Sequence, residues 1–284
     1  MSGDRPLQTT VRQPVEAAGI ALHAGARVRI GLGPAGPDEG IVFERRDLPG
    51  SPRVAARPDS VNGEALERRT ELVGPGGATV ATPEHLLAAC LGLGLDNARV
   101  TLDGPELPIF DGSALPYTEL IDQAGLEVLE VGRKVWRLKG PVTLARGDAE
   151  IVALPAERMQ LAFFASLRHA GLENQAAVID LAPEAFRRDV APARTFCFYE
   201  EVEALRAAGL IRGGSLDCAL VIRDGKPYEA EYRLPNELAA HKLLDLIGDF
   251  AILGRPVAAL VTARGSGHAL HHAFIRQLER ELIE

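Results

Sequence analysis

The chain has 284 residues, 46% hydrophobic and 25% charged, long enough for two ordinary domains and balanced like a globular protein rather than a disordered one. Its net charge, 31 − 39 = −8, argues against a broad electrostatic grip on nucleic acid or anionic lipid and leaves room only for a local basic pocket. No segment approaches the roughly 20 uninterrupted apolar residues of a membrane span, and the opening run Met1-Ser2-Gly3-Asp4-Arg5-Pro6 lacks the apolar core of a signal peptide, which predicts a cytoplasmic protein. Cys90, Cys197 and Cys218 include no C-x-x-C pair, so neither a disulfide framework nor a thiolate metal site is expected, and all three read as small apolar fillers.

In chain order, the first signals are strands. Residues 28–32 and 40–45 alternate or run apolar and are split by the turn-rich 33–39, a pattern that predicts a hairpin-like pair. Just before them His23 sits in a glycine-bounded loop, 19–25, and taken alone reads as a surface residue. In 81–97, Thr82 reads as an N-cap with Pro83 at the first helical position, which puts Glu84 and His85 in the first turn of an apolar helix. The positive end of the helix dipole favours ionised glutamate and discourages imidazolium, so His85 stays neutral and able to ligate. The plain alternative is an acidic first turn followed by a chance histidine.

Residues 97–103 then read as a strand, 105–113 as an ordered loop, and 116–124 as a helix stopped by Gly125. A boundary fits near 127–134, after which strands are expected at 135–144, 151–154 and 161–165. The run 193–198 precedes an amphipathic helix at 200–208 with Gly209 at its end, and 212–215 turns into a strand at 217–222, together a supersecondary insert with an apolar side. A strand at 257–263 and a last helix from Ala269 complete an order similar to that of the first half. The expected fold is α+β with two similar domains, 1–130 and 131–284, each a sheet with helices packed on one face.

Between the insert and the last strand lies the most informative stretch, 239–254, read as one helix closed by Gly254 with Pro256 beyond. Leu243, Leu246, Phe250 and Leu253 form one apolar stripe, while His241, Asp245 and Asp249 climb the other side at i, i+4, i+8. Leu244, Ala251 and Ile252 surround that polar stripe, so the helix is apolar nearly all round, as a buried helix is. Histidine and aspartate four residues apart point the same way, and imidazole nitrogen with carboxylate oxygen suits zinc. On this helix alone a satisfied structural pair and a metal site stand as equals. The second carboxylate–histidine pair, Glu84 and His85, lies 241 − 85 = 156 residues earlier, so two helices from two domains could meet over one ion. His268 sits at a loop-to-helix junction, and the two histidines after it, His271 and His272, read as surface residues.

The runs 19–25, 83–97, 105–109 with 111–113, 193–198, 213–215, 241–254 and 266–270 together resemble, in order and over nearly the whole chain, the UDP-3-O-acyl-N-acetylglucosamine deacetylases of lipid A biosynthesis. The resemblance implies two similar α+β domains with the active site at their interface, a zinc cofactor, an acylated UDP-N-acetylglucosamine substrate and the committing step of that pathway. It implies His85, His241 and Asp245 as metal ligands with water at the fourth position, Glu84 as the base that takes the water's proton, and Thr195 as a donor to the developing oxyanion. His268 becomes a positively charged stabiliser or acid, Asp249 holds that charge, and Lys242 reaches the substrate. Phe196 and the insert at about 196–222 resemble an apolar passage for the acyl chain, and His23, Glu201 and Gly267 fall in the substrate-binding set.

The chain also departs from that pattern. The usual Lys-Ser-Gly-His run is Gly265-Ser266-Gly267-His268, with Arg264 one place earlier as a substitute phosphate contact. No lysine occurs near Asp148 to Glu150, and an Asp-Phe-x-His-Pro run is replaced by Ser166-Leu167-Arg168-His169-Ala170. Alternatives are therefore the same hydrolysis on another N-acetyl sugar, or a non-catalytic paralogue that binds such a ligand. Intact Glu84, His85, His241, Asp245 and His268 count against the last. A monomer without nucleic-acid partners is expected.

Overall fold

The computed structural model describes residues 6–63, 69–167, 172 and 174–284. Its architecture is mixed α and β, with several sheets and six helices among the described residues. In the first half, one sheet runs in the spatial order Val15–Ile20, Arg27–Gly33, Ala98–Leu102, Ile41–Arg45, Arg53–Ala55. The expected hairpin of 28–32 with 40–45 is not formed. Ala98–Leu102 inserts between the two strands, antiparallel to the first (Ile30 opposite Leu102) and parallel to the second (Phe43 opposite Val100). Its alternating Ala98, Val100 and Leu102 are fully buried, and two paired edges satisfy all its backbone groups, which one edge would not. The 33–39 linker therefore crosses the end of that strand, where Asn97 Oδ1 accepts the Gly40 N–H at 2.9 Å.

The second sheet runs Val142–Arg146, Ala149–Pro155, Val257–Arg264, Trp136–Leu138, Leu282–Ile283, with Gln160–Ala165 parallel to Val257–Arg264 and paired with Gln175–Asp180. The single strand expected at 135–144 is thus two pieces, broken where Pro141, lacking an N–H, cannot continue a ladder. Leu7–Val11 pairs antiparallel with Leu126–Gly132, so a strand crosses the stretch where a boundary is expected.

The helices are α1 (Glu84–Leu93), α2 (Leu115–Ala124), α3 (Pro183–Asp189), α4 (Val202–Ala207), α5 (Glu237–Ala251) and α6 (His268–Leu278). The α1 N-cap is Pro83, not Thr82. Thr82 is left-handed (φ 57°) and its hydroxyl turns instead to Glu106 Oε1 at 3.3 Å. α5 begins at Glu237 and is buried on nearly every side, as its all-round apolar pattern requires. α1 from the first half packs along α5 from the second, and the crossing is close because position 248 is glycine. In the insert, Phe196–Phe198 lies parallel to Leu220–Arg223, with a 3-10 turn (Tyr199–Glu201) leading into α4. Leu220 and Ile222 pack with Leu238 of α5 in a second, small core.

Candidate metal and catalytic site

The α1–α5 crossing brings four functional side chains together because each occupies the inward face of its helix. Glu84 and His85 come from the first turn of α1, His241 and Asp245 from successive turns of α5, and all four are buried. His241 Nε2 stands 3.4 Å and His85 Nε2 3.9 Å from Asp245 Oδ1, and the two imidazoles meet edge to face with centroids 5.1 Å apart. One donor atom from each of His85, His241 and Asp245 lies within 4.8 Å of the others, so the three could hold one divalent ion. His241 Nδ1–H donates to the Ala193 carbonyl at 3.1 Å, which leaves the Nε2 lone pair turned toward Asp245. Glu84 Oε2 and His85 Nδ1 are buried with no hydrogen-bond partner among the described residues.

Electrostatics suit ligation. Burial, followed by the neighbouring His241, pushes His85 down to about 3, so its imidazole is neutral. Burial likewise lowers His241. Burial opposes ionisation of Asp245, but Lys242, whose Nζ donates to Asp245 Oδ2 at 3.0 Å, and His241 outweigh it and hold the carboxyl below its usual range. Glu84 behaves oppositely: burial raises it to about 8, in the range where a group exchanges protons at neutral pH.

His268, the first residue of α6, points its Nε2 to within 4.0 Å of Glu84 Oε1 and 3.9 Å of Asp245 Oδ2. Burial works against its charged form, yet its Nδ1–H donates to Asp249 Oδ2 at 2.7 Å and that carboxylate raises it to about 9. His271 and His272 are not surface residues. They are 0% and 1% exposed, because α6 turns the face bearing His268, His271 and His272 onto Asp249 of α5, which is itself fully buried. Their spacing from His268, i+3 and i+4, was the available sign of a shared face. Thr70, which also reaches Asp249, carried no sequence signal at all. Asp249, His268 and His271 also cluster within metal-ligand range, but their 2.7 Å contacts are hydrogen bonds.

A cavity of about 900 Å³ opens from this group. Glu84, His85, His241, Asp245 and His268 line it, as do Thr195, Lys242 and Gly267. The Thr195 N–H donates to the Gly112 carbonyl at 2.7 Å, and Lys242 Nζ lies 5.6 Å from the centre of the Phe196 ring. His23 lines the cavity too and is buried, since the Glu106 carboxylate accepts the His23 and Ala24 N–H groups at 2.9 and 2.8 Å and folds the loop inward. The insert supplies Phe196, Phe198, Leu205, Leu216 and Val221, with Glu201 on the same wall. Cys197 is half-buried on that wall, whereas Cys90 and Cys218 are buried. The structure does not bring Arg264 to the cavity: it is exposed at the end of its strand, opposite Glu150 in register. Arg168, His169 and Ala170 lie outside the described residues.

A buried His–His–Asp donor group with a glutamate and a protonated histidine beside it is the arrangement of a metal-dependent hydrolase. Comparison with known proteins agrees and narrows the class. A family model described as UDP-3-O-acyl N-acetylglycosamine deacetylase matches residues 8–280, and the chain belongs to that family. Three relatives, each named UDP-3-O-acyl-N-acetylglucosamine deacetylase, are similar along almost their whole length. The protein of Anaeromyxobacter sp. (strain Fw109-5) is 44% identical over 95% of this chain and 88% of its own. That of Phenylobacterium zucineum (strain HLK1) is 42% identical over 95% and 92%. That of Myxococcus xanthus (strain DK1622) is 38% identical over 95% and 86%.

Proposed function

We propose that the chain hydrolyses the N-acetyl group of UDP-3-O-acyl-N-acetylglucosamine, with zinc held by His85, His241 and Asp245. The supporting observation is that donor trio on the wall of a largely apolar cavity that Glu84 and His268, 4.0 Å apart, also line. Zinc bonds of about 2.0–2.1 Å place tetrahedral ligand atoms about 3.3 Å apart, close to the 3.4 Å between His241 Nε2 and Asp245 Oδ1. Two neutral imidazoles and one carboxylate are also the ligand chemistry of a catalytic zinc. Bound there, zinc supplies Lewis acidity to the acetamide carbonyl and acidifies water.

The chain's own residues do the rest. Glu84, held near neutrality by burial, takes a proton from the attacking water as its oxygen bonds to the carbonyl carbon. Thr195 on the cavity wall donates to the carbonyl oxygen as it gathers charge. His268, charged through its bond to Asp249, gives its proton to the sugar nitrogen as the C–N bond breaks, releasing acetate and the free amine. Lys242 steadies Asp245 and faces the substrate. The acyl chain enters between Phe196 and Leu216, with His23, Glu201 and Gly267 near the nucleotide sugar. A division into domains near residue 130, and a monomeric cytoplasmic enzyme, belong to the same reading.

A second reading, the same hydrolysis on an N-acetyl sugar without UDP, draws on the position of Arg264 away from the cavity. An assay of acetate release from the acylated sugar with and without UDP tests both. Preference for the UDP-linked compound supports the first reading, preference for the other supports the second, and turnover of neither removes both.

A further inference from the structure

Three side chains that the reaction above does not use converge on Asp249: Thr70, His271 and His272, exposed by only 0%, 0% and 1%. Asp249 Oδ2 accepts His268 Nδ1–H and His271 Nδ1–H, each at 2.7 Å. Asp249 Oδ1 accepts the Thr70 hydroxyl at 2.5 Å and lies 3.2 Å from His272 Nε2, which is 2.7 Å from Thr70 Oγ1. An ionised carboxylate only accepts, so Thr70, His268 and His271 are its donors; with the one hydroxyl proton of Thr70 given to Asp249, His272 Nε2–H donates to Thr70 Oγ1. Ser266 Oγ, 3.0 Å from His271 Nε2, extends the network to the loop before α6.

Thr70 differs from the other donors in coming from the first half of the chain. Its carbonyl oxygen accepts the Thr82 N–H at 2.9 Å, two residues before Glu84. One residue therefore binds the turn that carries Glu84 and His85 through its backbone, and the carboxylate that orients His268 through its side chain. We infer that Thr70, its hydroxyl backed by His272, is a positioning residue that holds Glu84 Oε1 and His268 Nε2 at their 4.0 Å separation, a span with room for a reacting atom between them. This rests on the reading of Glu84 and His268 as the proton-transferring pair. A threonine that only filled space would leave that pair's alignment to the helices.

The test replaces the hydroxyl alone. Thr70→Val should keep the zinc stoichiometry of the wild type, lower kcat about ten- to a hundredfold and leave KM within about twofold, while Thr70→Ser restores most of the lost kcat. In protein labelled with 15N-histidine, the wild type and the serine variant should show a slowly exchanging N–H signal from His272, and the valine variant should lose or shift it. Wild-type kcat in a folded Thr70→Val protein overturns the proposal, as does a raised KM with kcat unchanged. A folded Thr70→Ser protein as slow as the valine variant also overturns it, by making methyl packing the cause. Should the valine variant not fold, the serine variant and the wild-type spectrum decide, and a wild type with no protected His272 N–H sinks the idea. Absence of deacetylase turnover in the wild type is a different failure: it removes the functional reading, while the N–H signals still report whether Thr70 joins the network.

Discussion

A Cβ atom at Gly248 would lie 2.1 Å from the carbonyl oxygen of Glu84. Backbone therefore meets backbone where α5 crosses α1, at the residue that carries the proposed base. By helix propensity alone, alanine in place of glycine stabilises by about 1 kcal/mol. Overpacking against a rigid carbonyl costs about 1–3 kcal/mol and pushes the helices apart. Gly248→Ala should therefore unfold at lower denaturant concentration than the wild type and lose turnover together with stability. A variant at least as stable as the wild type would show that the helices can part freely.

The donor geometry predicts about one catalytic divalent metal per chain. His241→Ala and Asp245→Ala should each lose it, since each removes one of three protein donors within 4.8 Å of one another. Elemental analysis finding wild-type stoichiometry in both variants would place the metal elsewhere.

Glu84 contributes a proton acceptor rather than a ligand in this mechanism, so Glu84→Gln should keep its metal and lose turnover by about two to four orders of magnitude. Near-normal turnover in the glutamine variant, with metal content measured on the same sample, would remove Glu84 as the base.

The two groups titrate in opposite senses. Glu84 must be deprotonated, so activity rises as pH climbs through its pKa, which burial sets at about 8 in the metal-free protein and a bound cation lowers. His268 must be protonated, so activity falls as pH climbs through about 9. Asp249→Asn removes the largest of the influences that raise His268, leaving only the weaker pull of Asp245 and Glu84 against burial, so the imidazole titrates at lower pH. The falling limb should move to lower pH. A pH–rate profile of Asp249→Asn whose falling limb stays at the wild-type position would contradict the pairing.

The cavity walls from the insert predict a dependence on chain length. Each methylene buried there contributes about 0.8 kcal/mol, so a long acyl chain should lower KM by several orders of magnitude against a non-acylated analogue. Equal KM for the two would mean the cavity holds something other than an acyl chain.

Much of this was legible in the order of residues. The polar stripe of α5 inside an apolar surround, and the acidic first turn of α1 ahead of His85, follow from helical periodicity, which is local and survives without knowledge of partners. The same periodicity placed five of the six described helices and about half of the strands within a few residues, and gave no sign of α3 or of edge strands such as Leu7–Val11 and Gln175–Asp180. Pairing is not local. Ala98–Leu102 takes the place between Arg27–Gly33 and Ile41–Arg45 because a buried strand must satisfy both edges, and no neighbour in sequence announces that. His271 and His272 carry the composition of a wet surface, and only the packing of α6 against α5 supplies the carboxylate that makes their burial affordable. Thr70 is the extreme case: an unremarkable threonine in sequence, it acquires its role from two hydrogen bonds, to Thr82 and to Asp249, whose partners are brought to it by the tertiary fold. Sequence alone determined which side chains have the chemistry to bind a metal and move a proton. Tertiary structure decided which of them share one dielectric environment, because burial and through-space charge, not spacing along the chain, set their protonation states.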